Sequence, residues 1–461
     1  MQRSYYLIIL LLLSTQITCA QADRNFATKY DELLAAQFKP GETGAAALVA
    51  KDGKTIYKKA FGMANLELDV PMTTDMVFKI GSVTKQFTAV AILQLLEQGK
   101  LGLQDDITKY IADYPNTGTK ITIEHLLTHT SGIKSYTGMS DFGKMMRNDM
   151  TPIELINIIK AQPVDFAPGT KYKYNNSGYF ILGYIIEKVT GIPYGKYIED
   201  KIFKPAGMNS SYYGDNERII KNRAAGYDPI ENGLGNAALL SMKLPYAAGS
   251  LMSTVEDLYK WNQMLFSYKI IKKESLDKAL TPYRLANGEK LKYGYGLALD
   301  SLQGSKTISH GGGINGFLSY ATYLPTEKVL VVVLSNSTAK SPDAVANKIA
   351  AITIGKPIPD KIAGVQSKPS IEIKVPEATL LTYVGQYQLA PNFSIAITQE
   401  GGRLFGQATG QSKNEIFAES ENMFFLKVVS AKVEFVKDKE GKVSSLFLYQ
   451  AGQKIEGKRI N

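Results

Sequence analysis

The chain has one cysteine, Cys19, and it stands close to the N-terminus. A disulfide framework and a cysteine-bound metal are therefore both excluded. Histidine is nearly as scarce, with His125, His129 and His310 the whole set. Two of them fall four residues apart in HLLTH, the spacing at which one helix face offers a pair of zinc ligands. No glutamate follows His125, as a zinc protease would need, and the chain has only three histidines, so no metal or other cofactor is expected. Long apolar runs are also missing. The one unbroken stretch, residues 7–13, is too short to cross a bilayer. There is no internal repeat and no low-complexity tract. Charge is biased only mildly, at net +10, and the lysines are scattered among acids, as in KKES, KDKEG and EDKIF. That pattern is a solvated basic surface rather than a nucleic-acid site.

What remains is an ordinary soluble composition, 44% apolar and 21% charged, over 461 residues, which is too long for one core. Residues 1–22 have the form of a signal peptide: Arg3, the apolar core, then Ala20-Gln21-Ala22 at cleavage spacing. Export to the periplasm or the medium is expected, with no transmembrane segment left after cleavage. The alternative is a lipoprotein signal with Cys19 as the acylated residue, but Gln16-Ile17-Thr18 lacks the leucine usual three positions before such a cysteine.

Helical spacing marks residues 23–38, 87–98, 121–129, 153–159, 180–189 and 253–266, the last with Ser253 and Glu256 as a capping box. Residues 45–61 read as a hairpin closed by Asp52-Gly53. Residues 317–323 alternate, 329–334 form a β-branched run suited to a buried strand, and 342–353 close with a helix. Strands at both ends bracketing a helical middle suit one mixed sheet with an inserted helical lobe, an α+β domain over 23–356. Four prolines then mark a linker over 357–376. Beyond it helix signals vanish. Eight short alternating segments in 377–461, separated in places by Gly401-Gly402 and Glu440-Gly441, give the signature of a small all-β barrel. Phe393, Ile395 and Ile397 read as its filled core rather than a ligand site.

The chemistry begins at KIGSVTKQF. Ser-x-x-Lys occurs four times, at Ser82/Lys85, Ser131/Lys134, Ser275/Lys278 and Ser337/Lys340. Only Ser82 follows a glycine and opens a long apolar helix; the others sit in a loop, a charged surface helix and a polar turn. Three residues is just under a helical turn, so Ser82 and Lys85 share a face. A buried lysine loses its proton readily and can act as base to a serine hydroxyl. Alone, Ser82 reads more readily as a helix cap. Tyr-x-Asn occurs at Tyr114-Pro115-Asn116, an exposed turn by its breakers, and at Tyr174-Asn175-Asn176, a short loop feeding an apolar helix. There Tyr174 can relay protons and Asn176 can orient Lys85. His310-Gly311-Gly312-Gly313 precedes a strand, and its glycines let a ligand approach the backbone.

In this order, Ser82/Lys85, Tyr174/Asn176, His310/Gly312, the chain resembles the serine β-lactamases and penicillin-binding DD-peptidases, and within them the class C β-lactamase-like branch that also holds esterases and D-aminopeptidases. HLLTHTSGI, NNSGYFILGYIIE, IFKPAGM, AAGSLMSTVEDLYKW and YGYGL are similar too. The resemblance covers roughly residues 23–356 and implies an antiparallel sheet flanked by helices. It implies an acyl-enzyme on Ser82, with Lys85 and Tyr174 handling the proton. Asn176, His310, Gly311 and Gly312 would bind substrate, and the N–H groups of Ser82 and Gly313 would hold the oxyanion. The resemblance also makes His125 and His129 helix-packing residues, and the tail resembles a lipocalin-like barrel. His310 stands where many relatives have lysine and Gly311 where many have threonine, which argues against an efficient β-lactamase. An esterase or a peptidase on D-amino-acid or cell-wall substrates is expected, with a small ester, amide or peptidoglycan fragment as substrate. The alternatives are a β-lactamase or DD-carboxypeptidase, or a non-catalytic sensor of penicillins and muropeptides.

Overall fold

The computed structural model describes residues 26–115, 118–139, 141–230, 233–358, 372–390, 393–409, 413–426, 431–438, 440–450 and 453–460. The expected signal peptide with Cys19, Asn116, and most of the linker (359–371) lie outside them. The described chain forms two compact units on either side of residues 359–371, with the short segment 229–233 belonging to the second.

The first unit is organised by one sheet. Ala45–Lys51 and Lys54–Phe61 make the expected hairpin, and Asp52 and Gly53 both take positive φ (50° and 73°), the geometry a two-residue turn needs. Ala45–Lys51 pairs on its other edge with Val329–Ser335, Ala45 opposite Ser335. Ala298–Leu302, Ser305–Ile314 and Phe317–Leu324 complete six strands, with the two chain regions meeting at the centre. Every pair is antiparallel, as the resemblance implies and as element order alone did not decide.

Both faces of the central strands are covered, and alternation sorts their side chains. Ala45, Ala47, Val49, Val331 and Val333 pack with Tyr30 and Leu34 of the helix over residues 26–37 and with Val345 and Ile349 of the helix Pro342–Thr353. The Tyr30 hydroxyl and Thr353 Oγ1 are 2.8 Å apart and tie those two helices together. Ala46, Leu48, Val332 and Leu334 face the larger core, built on the helices Thr84–Glu97, Asn176–Thr190 and Val255–Phe266.

Several local expectations are corrected. The helix expected over 121–129 is only Ile123–Leu127, because the chain turns at His129, whose φ is +60°. The cap of Val255–Phe266 is Thr254, which accepts from the Asp257 N–H; Ser253 is held in a strand opposite Phe78, and Glu256 instead pairs with Lys58. Tyr114 is buried, not exposed, since its ring joins the main core.

The second unit is a closed barrel of eight antiparallel strands, from Gly385–Ala390 to Gln453–Arg459. Ile395, Ile397, Leu404, Val433 and Leu446 fill it, while Phe393 is only half-buried. A helix, Glu377–Tyr383, precedes the strands although helix signals had seemed to end; it sends Leu380 and Tyr383 into the barrel core, where Tyr383 stacks on Phe435 at 4.2 Å. Among the described residues no helix is long and apolar enough to cross a membrane.

Candidate active site

Ser82 sits at a sharp entry into the core. Gly81 has φ +49°, and a Cβ there would lie 2.9 Å from the Gly313 backbone, so only glycine fits. A single 3₁₀ turn, Gly81–Val83, then runs straight into Thr84–Glu97. Ser82 caps neither segment. It is half-buried, and its hydroxyl lies 3.0 Å from Lys85 Nζ, one turn along the same face.

Lys85 is fully buried, and desolvation holds its pKa well below the usual lysine value. Its amine has two further partners, Asn176 Oδ1 at 2.8 Å and the Ala248 carbonyl at 2.9 Å. Both are pure acceptors here. A neutral amine carries two hydrogens and one lone pair. In that form the hydrogens go to Asn176 and Ala248 and the Ser82 O–H can donate to the lone pair, whereas protonated Lys85 donates to all three. This places a lysine that gives up its proton easily directly against the serine hydroxyl.

Asn176 is the first residue of Asn176–Thr190, capped by Asn175. Its Nδ2 donates to Thr137 Oγ1 at 3.1 Å and its backbone N–H donates to Ser135 Oγ, which fixes the amide with Oδ1 toward Lys85. Tyr174 stands just before, with Lys85 Nζ 4.7 Å from its ring centroid and its hydroxyl near that of Ser82. Burial raises the Tyr174 pKa; the Ser82 hydroxyl opposes this without cancelling it. Burial dominates, so Tyr174 keeps its proton and serves as a carrier between neighbours rather than as a resting phenolate.

The third motif lies on Ser305–Ile314. The neighbouring strand Ala298–Leu302 pairs only as far as Ala298 opposite Ser309, whereas Phe317–Leu324 runs alongside to the turn. The two-residue turn makes Ile314 and Phe317 a hydrogen-bonded pair, so Gly312 and His310 also bond toward Phe317–Leu324. The N–H groups of Gly311 and Gly313 therefore point to the opposite, open edge. Gly311 and Gly313 are exposed and Gly312 is buried. A Cβ on Gly312 would meet the Ile80 carbonyl at 2.1 Å, so this glycine lets the strand lie against the turn that carries Ser82. His310 is buried, with Nδ1 donating to the Gly311 carbonyl (2.6 Å) and Nε2 3.0 Å from the Tyr293 hydroxyl. Burial, and second the Lys85 charge it would oppose, push its pKa down to about 3. It is neutral and offers no cation to a substrate carboxylate.

The structure thus brings Ser82, Lys85, Tyr174 and Asn176 into contact, with Gly313 beside Gly81. The other Ser-x-x-Lys pairs are not assembled this way: Lys134 pairs with Asp165 and Lys340 with Glu42, while Ser275 and Ser337 turn out to be buried. Sequence reasoning missed the Ala248 carbonyl, a backbone atom with no residue-type signature, and treated His129 as packing only. Ser135 and Thr137, which hold Asn176, were also missed. His125 accepts the Thr122 N–H in a capping box, and no group of three or more His, Cys, Asp or Glu among the described residues could hold a metal ion.

Comparison with known proteins gives the family. Residues 26–355 match the family model described as Beta-lactamase, and residues 369–459 match one described as a domain of unknown function. A penicillin-binding protein of Bacillus subtilis is 30% identical over 439 residues, 89% of this chain and 94% of that one. The octameric penicillin-binding protein homologue from Pyrococcus abyssi superposes with a TM-score of 0.66 at 30% identity, covering 94% of this chain and 99% of its own. A D-stereospecific amidohydrolase from Streptomyces sp. follows at a TM-score of 0.62 and 27% identity, covering 71% and 98%.

Proposed function

The chain belongs to the β-lactamase family and is a serine hydrolase, and on that premise we propose that it cleaves esters and D-amino-acid amides or peptides through an acyl-enzyme on Ser82. The observation that carries this reading is the buried Lys85, its pKa depressed by desolvation and its amine held by Asn176 and Ala248 within 3.0 Å of the Ser82 hydroxyl.

Ser82 Oγ attacks the substrate carbonyl as its proton passes to Lys85 Nζ. The oxygen of the tetrahedral intermediate accepts from the N–H groups of Ser82 and Gly313. The Tyr174 hydroxyl gives its proton to the leaving oxygen or nitrogen and is reprotonated from Lys85, so the pair returns to its starting state with the acyl group on Ser82. Water then adds to the acyl carbonyl by the same route in reverse and frees Ser82. Asn176 holds Lys85 throughout, and the open edge at Gly311 and Gly313 presents backbone groups to an extended substrate.

The substrate class rests on His310 and Gly311. A neutral imidazole turned toward Tyr293, beside a residue without a side chain, supplies neither charge nor hydroxyl for the carboxylate of a β-lactam. The Streptomyces relative, a D-stereospecific amidohydrolase, favours the amide side.

The test is a substrate panel on the wild-type protein and Ser82→Ala: p-nitrophenyl acetate, D-alaninamide, L-alaninamide and a cephalosporin. The expected result is Ser82-dependent turnover of the ester and of the D-amide over the L-amide. A cephalosporin hydrolysed with orders of magnitude higher kcat/KM would overturn the substrate class, and turnover surviving in Ser82→Ala would overturn the nucleophile. A second reading, a penicillin-acylated cell-wall peptidase, is favoured by the Bacillus relative. It predicts a stable mass increase of one benzylpenicillin that is lost in Ser82→Ala.

A further inference from the structure

His129 is a buried imidazole that the proposed mechanism does not use, and it is built into the backbone on both sides of Tyr174. Its carbonyl accepts the Lys173 N–H at 3.0 Å, and its Nδ1 accepts the Asn175 N–H at 3.1 Å. Its ring packs on the Tyr174 ring with centroids 4.3 Å apart. A single residue reaches both amides because its φ is +60°, a left-handed conformation that turns carbonyl and side chain toward one neighbouring segment.

The surroundings fit a clamp better than filler. The rings of Tyr293, Tyr179 and Tyr172 also pack around His129, at 4.9, 5.1 and 6.0 Å. Among the described residues its Nε2 has no hydrogen-bond partner. An apolar side chain would fill this space without leaving a buried N–H unpaired, so the feature that only a residue such as His supplies is the Nδ1 acceptor. Burial first, then the charge of the nearby Lys85, push its pKa well down, which keeps that lone pair available. The ionisable groups facing it are Tyr172, Tyr174, Tyr179, Tyr293, Lys85 and His310.

We infer that His129 is a positioning residue: it clamps the backbone on either side of Tyr174, fixing the Tyr174 hydroxyl at Ser82 and starting the helix that carries Asn176 to Lys85. This rests on the proposed roles of Ser82 and Tyr174.

Three variants separate this from core packing. His129→Phe keeps a ring but removes the acceptor. His129→Asn keeps an acceptor, since its Oδ1 stands near the place of Nδ1, and asparagine tolerates the left-handed backbone. Tyr174→Phe removes the group being positioned. With p-nitrophenyl acetate, His129→Phe is expected to lower kcat about tenfold with KM within about threefold, and His129→Asn to restore kcat to within about threefold of wild type. In a Tyr174→Phe background, His129→Phe should cost less than about twofold, because coupled residues are not additive. The inference is overturned if His129→Phe stays within twofold of wild type, if His129→Asn is no better than His129→Phe, or if the tenfold loss persists without the Tyr174 hydroxyl. Should His129→Phe not fold, His129→Gln, whose acceptor sits one bond further out, replaces it with the same expected losses. A wild-type protein that leaves the ester intact overturns the proposed function itself, whereas turnover indifferent to position 129 overturns only this inference.

Discussion

At the scale of the residue, Lys85 decides both activity and part of the stability. Its pKa is depressed in the fold while the unfolded chain has an ordinary lysine, so unfolding takes up a proton at every pH between the two values. Wild-type stability should therefore rise with pH across that window, by at most about 1.4 kcal/mol per pH unit, and level off near the free value of 10.5. Lys85→Met lacks this dependence. Thermal melts from pH 6 to pH 10 should show the difference between variant and wild type moving steadily in favour of wild type; a constant difference would mean that Lys85 is charged in the fold. The same titration sets the acid limb of kcat/KM, where activity rises with pH as Lys85 loses its proton. Lys85→Arg, a side chain that cannot deprotonate, should lose about 10²–10⁴-fold in kcat with Ser82 still in place.

At the scale of the element, glycines decide how closely three segments approach the nucleophile. A Cβ on Gly183, inside Asn176–Thr190, would lie 2.5 Å from both the Ala247 Cβ and the Tyr246 ring. That glycine lets the short helix Tyr246–Gly249 lie down and present the Ala248 carbonyl to Lys85. Gly183→Ala should cost about 1–3 kcal/mol by overpacking, and it should lower kcat as well, because the carbonyl moves away from the amine. On Ser305–Ile314, neighbouring glycines should behave differently. Gly311→Ala meets only ordinary contact, 3.5 Å from the Tyr320 ring, and should fold like wild type. Gly312→Ala meets the Ile80 carbonyl and Ser319 Oγ at 2.1 and 2.3 Å and should lose both stability and turnover, as denaturation and ester assays on the pair would show.

Elements were legible in the sequence where periodicity was strong. Asp52-Gly53, the β-branched run at 329–334 and the helix at 342–353 each appear within a residue or two of their expected bounds. Legibility failed where long-range contacts overrode a local signal. Tyr114 has breakers beside it but a core to enter, Thr254 took the cap from Ser253 because a strand claimed Ser253, and Glu377–Tyr383 is a helix because a barrel needed an apolar filling. Within the candidate site, side-chain motifs could be read and backbone atoms could not, so the Ala248 carbonyl and the left-handed turn at His129 came only from the structure.

At the scale of the whole molecule, each unit has its own hydrophobic core: two clusters face the sheet of the first, and a separate one fills the barrel. A chain ending at residue 358 should fold and retain Ser82-dependent ester turnover within a few fold, measured against the full chain at equal concentration. Loss of folding would show that the first unit depends on the second. The order of strands in the first unit has a consequence for how the protein is made. Ala45–Lys51, one of the first elements to leave the ribosome, has Val329–Ser335 as its central neighbour. The hairpin it forms with Lys54–Phe61 is complete early but must wait, one edge unpaired, while the whole helical lobe and the site it carries are synthesised. Closure of this sheet by that pairing is therefore a late step of long sequence separation. Until it happens the chain is a substrate for holding factors and proteases, and its yield will depend on how long that edge stays open.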